Sequence, residues 1–398
     1  MGNSTSPSVY LIAVGAFALG MASYVTAGLL PMIQHAFDVQ VAIAAQLVTA
    51  FTLAYGIGSP LVVAVLPAHR QRSGLLLALA VFVLANAASA LVNDYVQLLA
   101  CRAVAGLGAG VYLATGIAAS AAVSEPQRRG KAIAVIMAGM ASGTVLGVPL
   151  SLILADHAGW QAALWLVAAL GFVAWLGLVF KLPTIAAGPQ VALSRKLALL
   201  SDTKVLTILA VSLLAAVSSL GLYTFIAPLM SDAAGSPSFN VTPYLWVWGL
   251  GGVAGSFIVA PLVDVIKGPT LTWLIMVVLT VAVLAIPLAA AITPWLAMLP
   301  IAIWGAVGWA LQVPQNNELI AVRDKHGDGN LAVALNESAL YLGSAIGAAA
   351  GGLMLLTQWP TWTLAIGAGA VAFVGVLLQL LNLRGQKAQK LVVDSTYR

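Results

Sequence analysis

The chain alternates between long apolar runs and short polar interruptions. Cutting it at charged and turn-forming residues leaves runs at 9–31, 43–66, 74–92, 96–122, 132–155, 160–180, 205–230, 242–263, 269–290, 294–317, 330–356 and 360–383. Each is about 20 residues or longer, enough to cross a hydrocarbon layer about 30 Å thick at a rise of 1.5 Å per residue. The runs are apolar all round rather than along one stripe. That suits helices bathed in lipid, whose backbone must satisfy its own hydrogen bonds. The ten-residue alternating segments of an outer-membrane barrel are absent. The pattern therefore predicts an all-α membrane protein with twelve transmembrane helices. Three connections, near 92–95, 156–159 and 356–360, are very short. They are read as breaks because the joined runs would be too long for one crossing.

Composition agrees: 61% of residues are apolar and 7% charged, against about 25% charged in soluble chains. The placement of charge tests the cuts. Sixteen of the 17 Lys and Arg residues fall on alternate connections and the tail, including Arg70, Arg72, Arg128, Arg129, Lys181, Arg195, Lys204, Lys267, Arg323 and Arg384. The intervening connections carry Asp38, Asp94, Asp156 and Asp232 and no Lys or Arg. Basic residues collect on the cytoplasmic side of membrane proteins, so both termini are expected in the cytoplasm. The same residues would meet anionic lipid headgroups, which accounts for the net charge of +5 without a nucleic-acid partner. The single cysteine, Cys101, leaves no intrachain disulfide. Four scattered histidines give no metal site, and no phosphate-binding loop is present, so no cofactor or metal is expected.

The longest polar connection, 181–204, divides the chain six plus six. The expected organisation is a six-helix bundle at 1–180, a cytoplasmic linker at 181–204, a second bundle at 205–383 and a cytoplasmic tail at 384–398. The halves echo one another. Gly28-Leu29-Leu30-Pro31 closes the first run and Phe225-Ile226-Ala227-Pro228 the seventh. Gly143 and Gly147 lie four apart in the fifth run, as do Gly343, Gly347 and Gly351 in the eleventh. Both halves begin on the same side, which implies a pseudo-two-fold along the membrane normal.

Further residues carry a family resemblance. The fourth run reads Arg102-Ala103-Val104-Ala105-Gly106-Leu107-Gly108-Ala109-Gly110, and the fifth has Gly139, Gly143 and Leu146-Gly147-Val148-Pro149, followed by Gly159-Trp160. These, with Gly28-Leu29-Leu30-Pro31 and Leu335-Asn336-Glu337-Ser338, resemble the major facilitator superfamily over roughly residues 9–383. Within it they resemble the arabinose-efflux-like and purine-efflux-like branch of the drug:proton antiporter group. The chain departs from that pattern twice. The connection Leu66-Pro67-Ala68-His69-Arg70-Gln71-Arg72 lacks the family's Asp, and Ala22-Ser23-Tyr24-Val25-Thr26-Ala27 lacks a carboxylate.

The resemblance implies a secondary transporter that works by alternating access. It would export a small organic solute by proton antiport from the bacterial inner membrane and act as a monomer with no cofactor. An uncoupled facilitator or a proton symporter is the alternative, and a non-transporting receptor a remote one. No set of residues suggests an enzyme. Charges inside a membrane mark function, so Glu337 and Arg102 are the candidates for proton coupling. The family places its cavity between helices 1, 4, 7 and 10. Residues expected to line it are Tyr24, Tyr112, Tyr223, Phe225, Trp304 and Gln312, with Asn336 and Tyr341 beside Glu337 on helix 11. Arg70, Arg72, Asp264, Gly143, Gly147 and Pro149 are the expected gating residues.

Overall fold

The computed structural model describes residues 6–67, 70–125, 128–184, 199, 201–236, 239–323 and 329–396, with side chains from 331 to 385 in the last stretch. Most of the expected linker and the side chains of most of the expected tail lie outside the described residues.

Twelve helices are long and apolar enough to cross a membrane. They are α1 (Pro7–Phe37), α2 (Val41–Val65), α3 (Gln71–Ser89), α4 (Tyr95–Val123), α5 (Arg129–Ala158), α6 (Trp160–Lys181), α7 (Thr203–Thr224), α8 (Thr242–Val265), α9 (Gly268–Ile292), α10 (Pro294–Arg323), α11 (Leu331–Leu356) and α12 (Trp362–Gly385). Large apolar residues such as Leu84, Phe172, Phe180, Phe257, Val281 and Leu288 are exposed on the outside. That arrangement is stable only with lipid as the solvent.

Capping fixes several starts. The Asp94 carboxylate accepts from the Gln97 backbone N–H at the head of α4, and Asp202 accepts from Lys204 and Val205 at the head of α7. The short connections after α3 and α5 turn the chain as expected, the second at Gly159 with φ of 85°, where a side chain would be strained. Helix α1 runs through Pro31 to Phe37, six residues past the expected end. Helix α12 continues to Thr396, because its continuation, which opens Gln386-Lys387-Ala388-Gln389-Lys390-Leu391, favours helix and contains no proline.

The prolines act in three ways. Pro228 lacks an N–H and its ring opposes the carbonyl of Thr224, so α7 breaks at Phe225 and resumes as Ile226–Ala234. Pro60 and Pro149 each follow one wide π-type turn, Ala54–Gly58 in α2 and Gly143–Gly147 in α5. The wider turn absorbs the ring without breaking the helix. Pro261 ends the regular part of α8 before a last short turn, Leu262–Val265.

The two halves repeat the same crossings. In the first half, Gly139 and Gly143 of α5 press on the carbonyls of Ala13 and Phe17 of α1, and Gly20 presses on that of Met140. In the second, Gly343 and Gly347 of α11 press on the carbonyls of Leu213 and Val217 of α7, and Gly221 meets Gly347. Gly106 of α4 lies on the Phe51 carbonyl of α2. Gly251 and Gly255 of α8 lie on those of Ala302 and Ala306 of α10. Side chains tie the outer helices. Arg72 donates to the Leu182 and Val179 carbonyls at the end of α6 (2.9 and 2.8 Å), and Gln379 of α12 donates to that of Pro269 on α9 (2.8 Å).

Between the halves, α1 meets α7, α2 meets α11 and α5 meets α8. These contacts lie at mid-depth and toward the acidic connections. Gly352 of α11 meets the Ala42 carbonyl and Gln46, Gly56 of α2 meets Ser338, Tyr341 and Leu342, and Gly249 of α8 meets Val145.

Candidate functional site

A cavity of about 250 Å³ lies between the halves. Its walls come from α1 (Tyr24), α5 (Met137, Met140, Thr144), α7 (Ser212, Ser219), α8 (Ser256), α10 (Trp309, Gln312) and α11 (Glu337, Tyr341). Met137, Ser212, Ser256, Gln312 and Glu337 each lie six to eleven residues from the basic-face end of their helix. That puts the cavity about 9 to 17 Å in from that face. Rings close it on the acidic side: Tyr24 meets Tyr223 edge-on at 5.4 Å and Trp248 at 5.9 Å, and Tyr223 and Trp248 are 4.4 Å apart. Trp304 and Trp309 pack on Trp248 at 6.0 and 5.7 Å.

The polar groups of the wall are anchored from behind. Trp304 donates its indole N–H to the Ser219 hydroxyl at 2.7 Å, and Gln315 donates to that of Ser212 at 3.2 Å. Ser256 and Thr144 give their hydroxyl protons to the helix carbonyls of Gly252 and Met140, at 2.9 and 3.2 Å. These hydroxyls therefore offer lone pairs to the cavity. Among the described residues, Glu337 is the only acid or base in the wall apart from the phenols of Tyr24 and Tyr341. It is half-buried and makes no hydrogen bond or ion pair among the described residues. Across the boundary between halves, Tyr341 stacks on Tyr55 of α2 at 3.5 Å, with its hydroxyl 3.3 Å from that of Ser23 on α1.

The expected residues divide by position. Tyr24, Gln312, Glu337 and Tyr341 share the cavity. Tyr223 lies above it in the ring cluster, and Trp304 stands behind Ser219. Phe225 sits at the break of α7 against Gly351. Asn336 is fully buried and donates to Asn316 at 2.9 Å. Tyr112 is turned away: its ring fills the gap beside Gly15 and its hydroxyl donates to the Ile12 carbonyl at 3.0 Å. Helix α4 thus contributes no side chain to this cavity.

Arg102, only 1% exposed, donates to Asn86 Oδ1 at 3.1 Å and to the Ala22 carbonyl at 2.8 Å. Its guanidinium lies 4.6 Å over the Phe51 ring. It holds the stretch of α1 that carries Ser23 and Tyr24. Arg72 is engaged within the first half, while Arg70 and Asp264 are exposed on the basic face. Gly143, Gly147 and Pro149 lie at the π-type turn of α5, where it crosses α1. No group of three or more metal-ligating side chains occurs among the described residues.

Sequence reasoning missed Met137, Met140, Thr144, Ser212, Ser219 and Ser256. Their spacing carried a signal: 137, 140 and 144 share one helical face, as do 212 and 219.

The sequence pattern of the Major Facilitator Superfamily matches residues 12–327. The inner membrane transport protein YdhP of Escherichia coli O157:H7 is 29% identical over 384 residues, covering 96% of this chain and 98% of the relative. A chloramphenicol resistance protein of Streptomyces lividans is 36% identical over 160 residues, 40% of this chain and 41% of that protein. The fold matches the crystal structure of a bacterial homologue of the human lysosomal transporter Spinster, in an inward-facing and unoccupied conformation (TM-score 0.73, 14% identity, 96% of this chain and 98% of that one). It also matches a D-xylose-proton symporter (TM-score 0.74, 14% identity, 94% and 96%). With its lipid-facing exterior, twelve crossings and two six-helix halves around a central cavity, the chain belongs to the Major Facilitator Superfamily of membrane transporters.

Proposed function

We propose that the protein exports a small organic solute in exchange for protons, by alternating access across the plasma membrane, with its basic face and both termini in the cytoplasm. The observation that carries this reading is Glu337, one carboxylate without an ion-pair partner in a cavity between two halves that can rock. Sealing such a charge away from water uncompensated costs several kcal/mol. The cavity therefore closes readily only when something neutralises Glu337. On the return leg a proton does so; on the export leg the bound solute covers the carboxylate in the proton's place. This makes exchange obligatory, because an empty, ionised carrier does not cross.

Two findings support export. Read by the positive-inside rule, the segregation of basic residues supports a cavity on the cytoplasmic side of the ring cluster, where an internal solute would enter. The similarity to a chloramphenicol resistance protein points the same way. A second reading, an uncoupled facilitator or proton symporter, is favoured by the absence of a carboxylate from Ala22 to Ala27 on α1.

Proteoliposomes loaded in turn with benzyltrimethylammonium and with chloramphenicol test the proposal. Acidifying the medium is expected to accelerate exit of the transported probe. In Glu337→Gln that acceleration disappears while solute-for-solute exchange persists. Exit indifferent to the gradient would favour the facilitator, and acceleration retained in the variant would remove Glu337 from the mechanism.

A further inference from the structure

From the chemistry of the cavity wall, we infer that the solute is an organic cation carrying an aromatic or other apolar group. The inference rests on the exchange reading above and names its substrate class.

Three observations converge. The wall holds one carboxylate, Glu337, and no Lys, Arg or His. Arg102, the basic residue inside a membrane-spanning helix, is held by Asn86 and the Ala22 carbonyl and does not line the cavity. A cationic solute would thus find a counter-charge, and an anionic one a like charge.

The second observation is the π surface. Tyr24 and Trp309 line the cavity, and Trp248, Tyr223 and Trp304 back them in one continuous cluster. The negative faces of such rings attract ammonium groups, most strongly where water is excluded. Met137 and Met140 add polarizable thioethers from α5, suited to an apolar group of variable shape.

Third, the hydroxyls of Ser256 and Thr144 spend their protons on helix carbonyls and present acceptors to the cavity. An ammonium bearing N–H groups finds partners there.

The same arrangement explains how solute and proton exclude each other. A cation beside Glu337 neutralises it, and so does a proton, and the two cannot do so together. The titratable groups facing Glu337 are the phenols of Tyr24, Tyr55 and Tyr341. The cavity walls from α5, α7, α8 and α10 contribute none.

The test is equilibrium binding to the purified full-length protein at pH 8, read by tryptophan fluorescence. Benzyltrimethylammonium is compared with benzenesulfonate, a similar ring bearing the opposite charge. The cation is expected to bind at least about tenfold more tightly. Glu337→Gln should abolish that preference by weakening the cation and not the anion, whereas Glu337→Asp keeps it and shows that the fold is intact. Trp309→Leu should weaken the cation about tenfold. Equal or tighter binding of the anion, or a preference that survives Glu337→Gln, overturns the inference. If chloramphenicol alone binds and its exit still responds to the pH gradient, the cation assignment fails while the exchange reading stands.

Discussion

Arg102 illustrates how a single charge is accommodated inside a membrane protein. Among the described residues no carboxylate meets it; instead a side-chain amide, a helix carbonyl and the face of Phe51 share the guanidinium. Hydrogen bonds to a charged group are worth about 1.5 to 3 kcal/mol each. Arg102→Ala is therefore expected to lower stability by about 3 kcal/mol, seen as a fall in Tm in detergent. Arg102→Lys should recover little, because one ammonium cannot reproduce the fork that spans Asn86 and Ala22. The presence of a charge in the fourth helix was legible in the sequence, since Arg is the only basic residue inside a run. Its partners were not, because they stand 16 and 80 residues away, and only the crossing of α1, α3 and α4 brings them together. The outward turn of Tyr112 was hidden for the same reason: the space it fills exists only because Gly15 leaves room on α1.

At the level of elements, the crossings are set by residues without side chains. A Cβ on Gly143 would strike the Phe17 carbonyl, and backbone cannot step aside as a flexible side chain can. Gly143→Ala should part α1 from α5 and cost about 1 to 3 kcal/mol, as overpacking does. Gly130 has open space around it, so Gly130→Ala in the same helix should leave stability unchanged or slightly raised. Thermal unfolding of the two variants side by side checks the contrast. The four-residue glycine spacing was visible in the sequence, and it marked these crossings. The wide turns before Pro60 and Pro149 were not visible. A proline announces a disturbance, but whether the helix breaks, widens or simply continues depends on what packs beside it. Pro31, Pro149 and Pro228 give three different answers.

For the whole molecule, the decisive fact is where the halves touch. Their contacts, from Gly56 and Tyr341 to Ala42 and Gly352, gather at mid-depth and toward the acidic face. Cysteines at Ala42 and Gly352, on a Cys101→Ser background and joined by a short cleavable thiol cross-linker, should hold that side shut. Solute exit is expected to stop, binding of benzyltrimethylammonium to persist, and cleavage of the linker to restore exit. The twelve crossings and the two-part division could be read from apolar length and alternating charge, because lipid enforces both. The composition of the cavity could not, since six helices far apart in the chain each give it one face. Both π-type turns lie in the first half, at its two seams with the second: Tyr55 against Tyr341 in α2, and Val145 against Gly249 in α5. Their opposite numbers at the seams, the middle of α8 and of α11, are regular helix. At these two seams the first half presents a loosened turn and the second an unbroken rod, so relative movement there should strain α2 and α5 before α8 and α11.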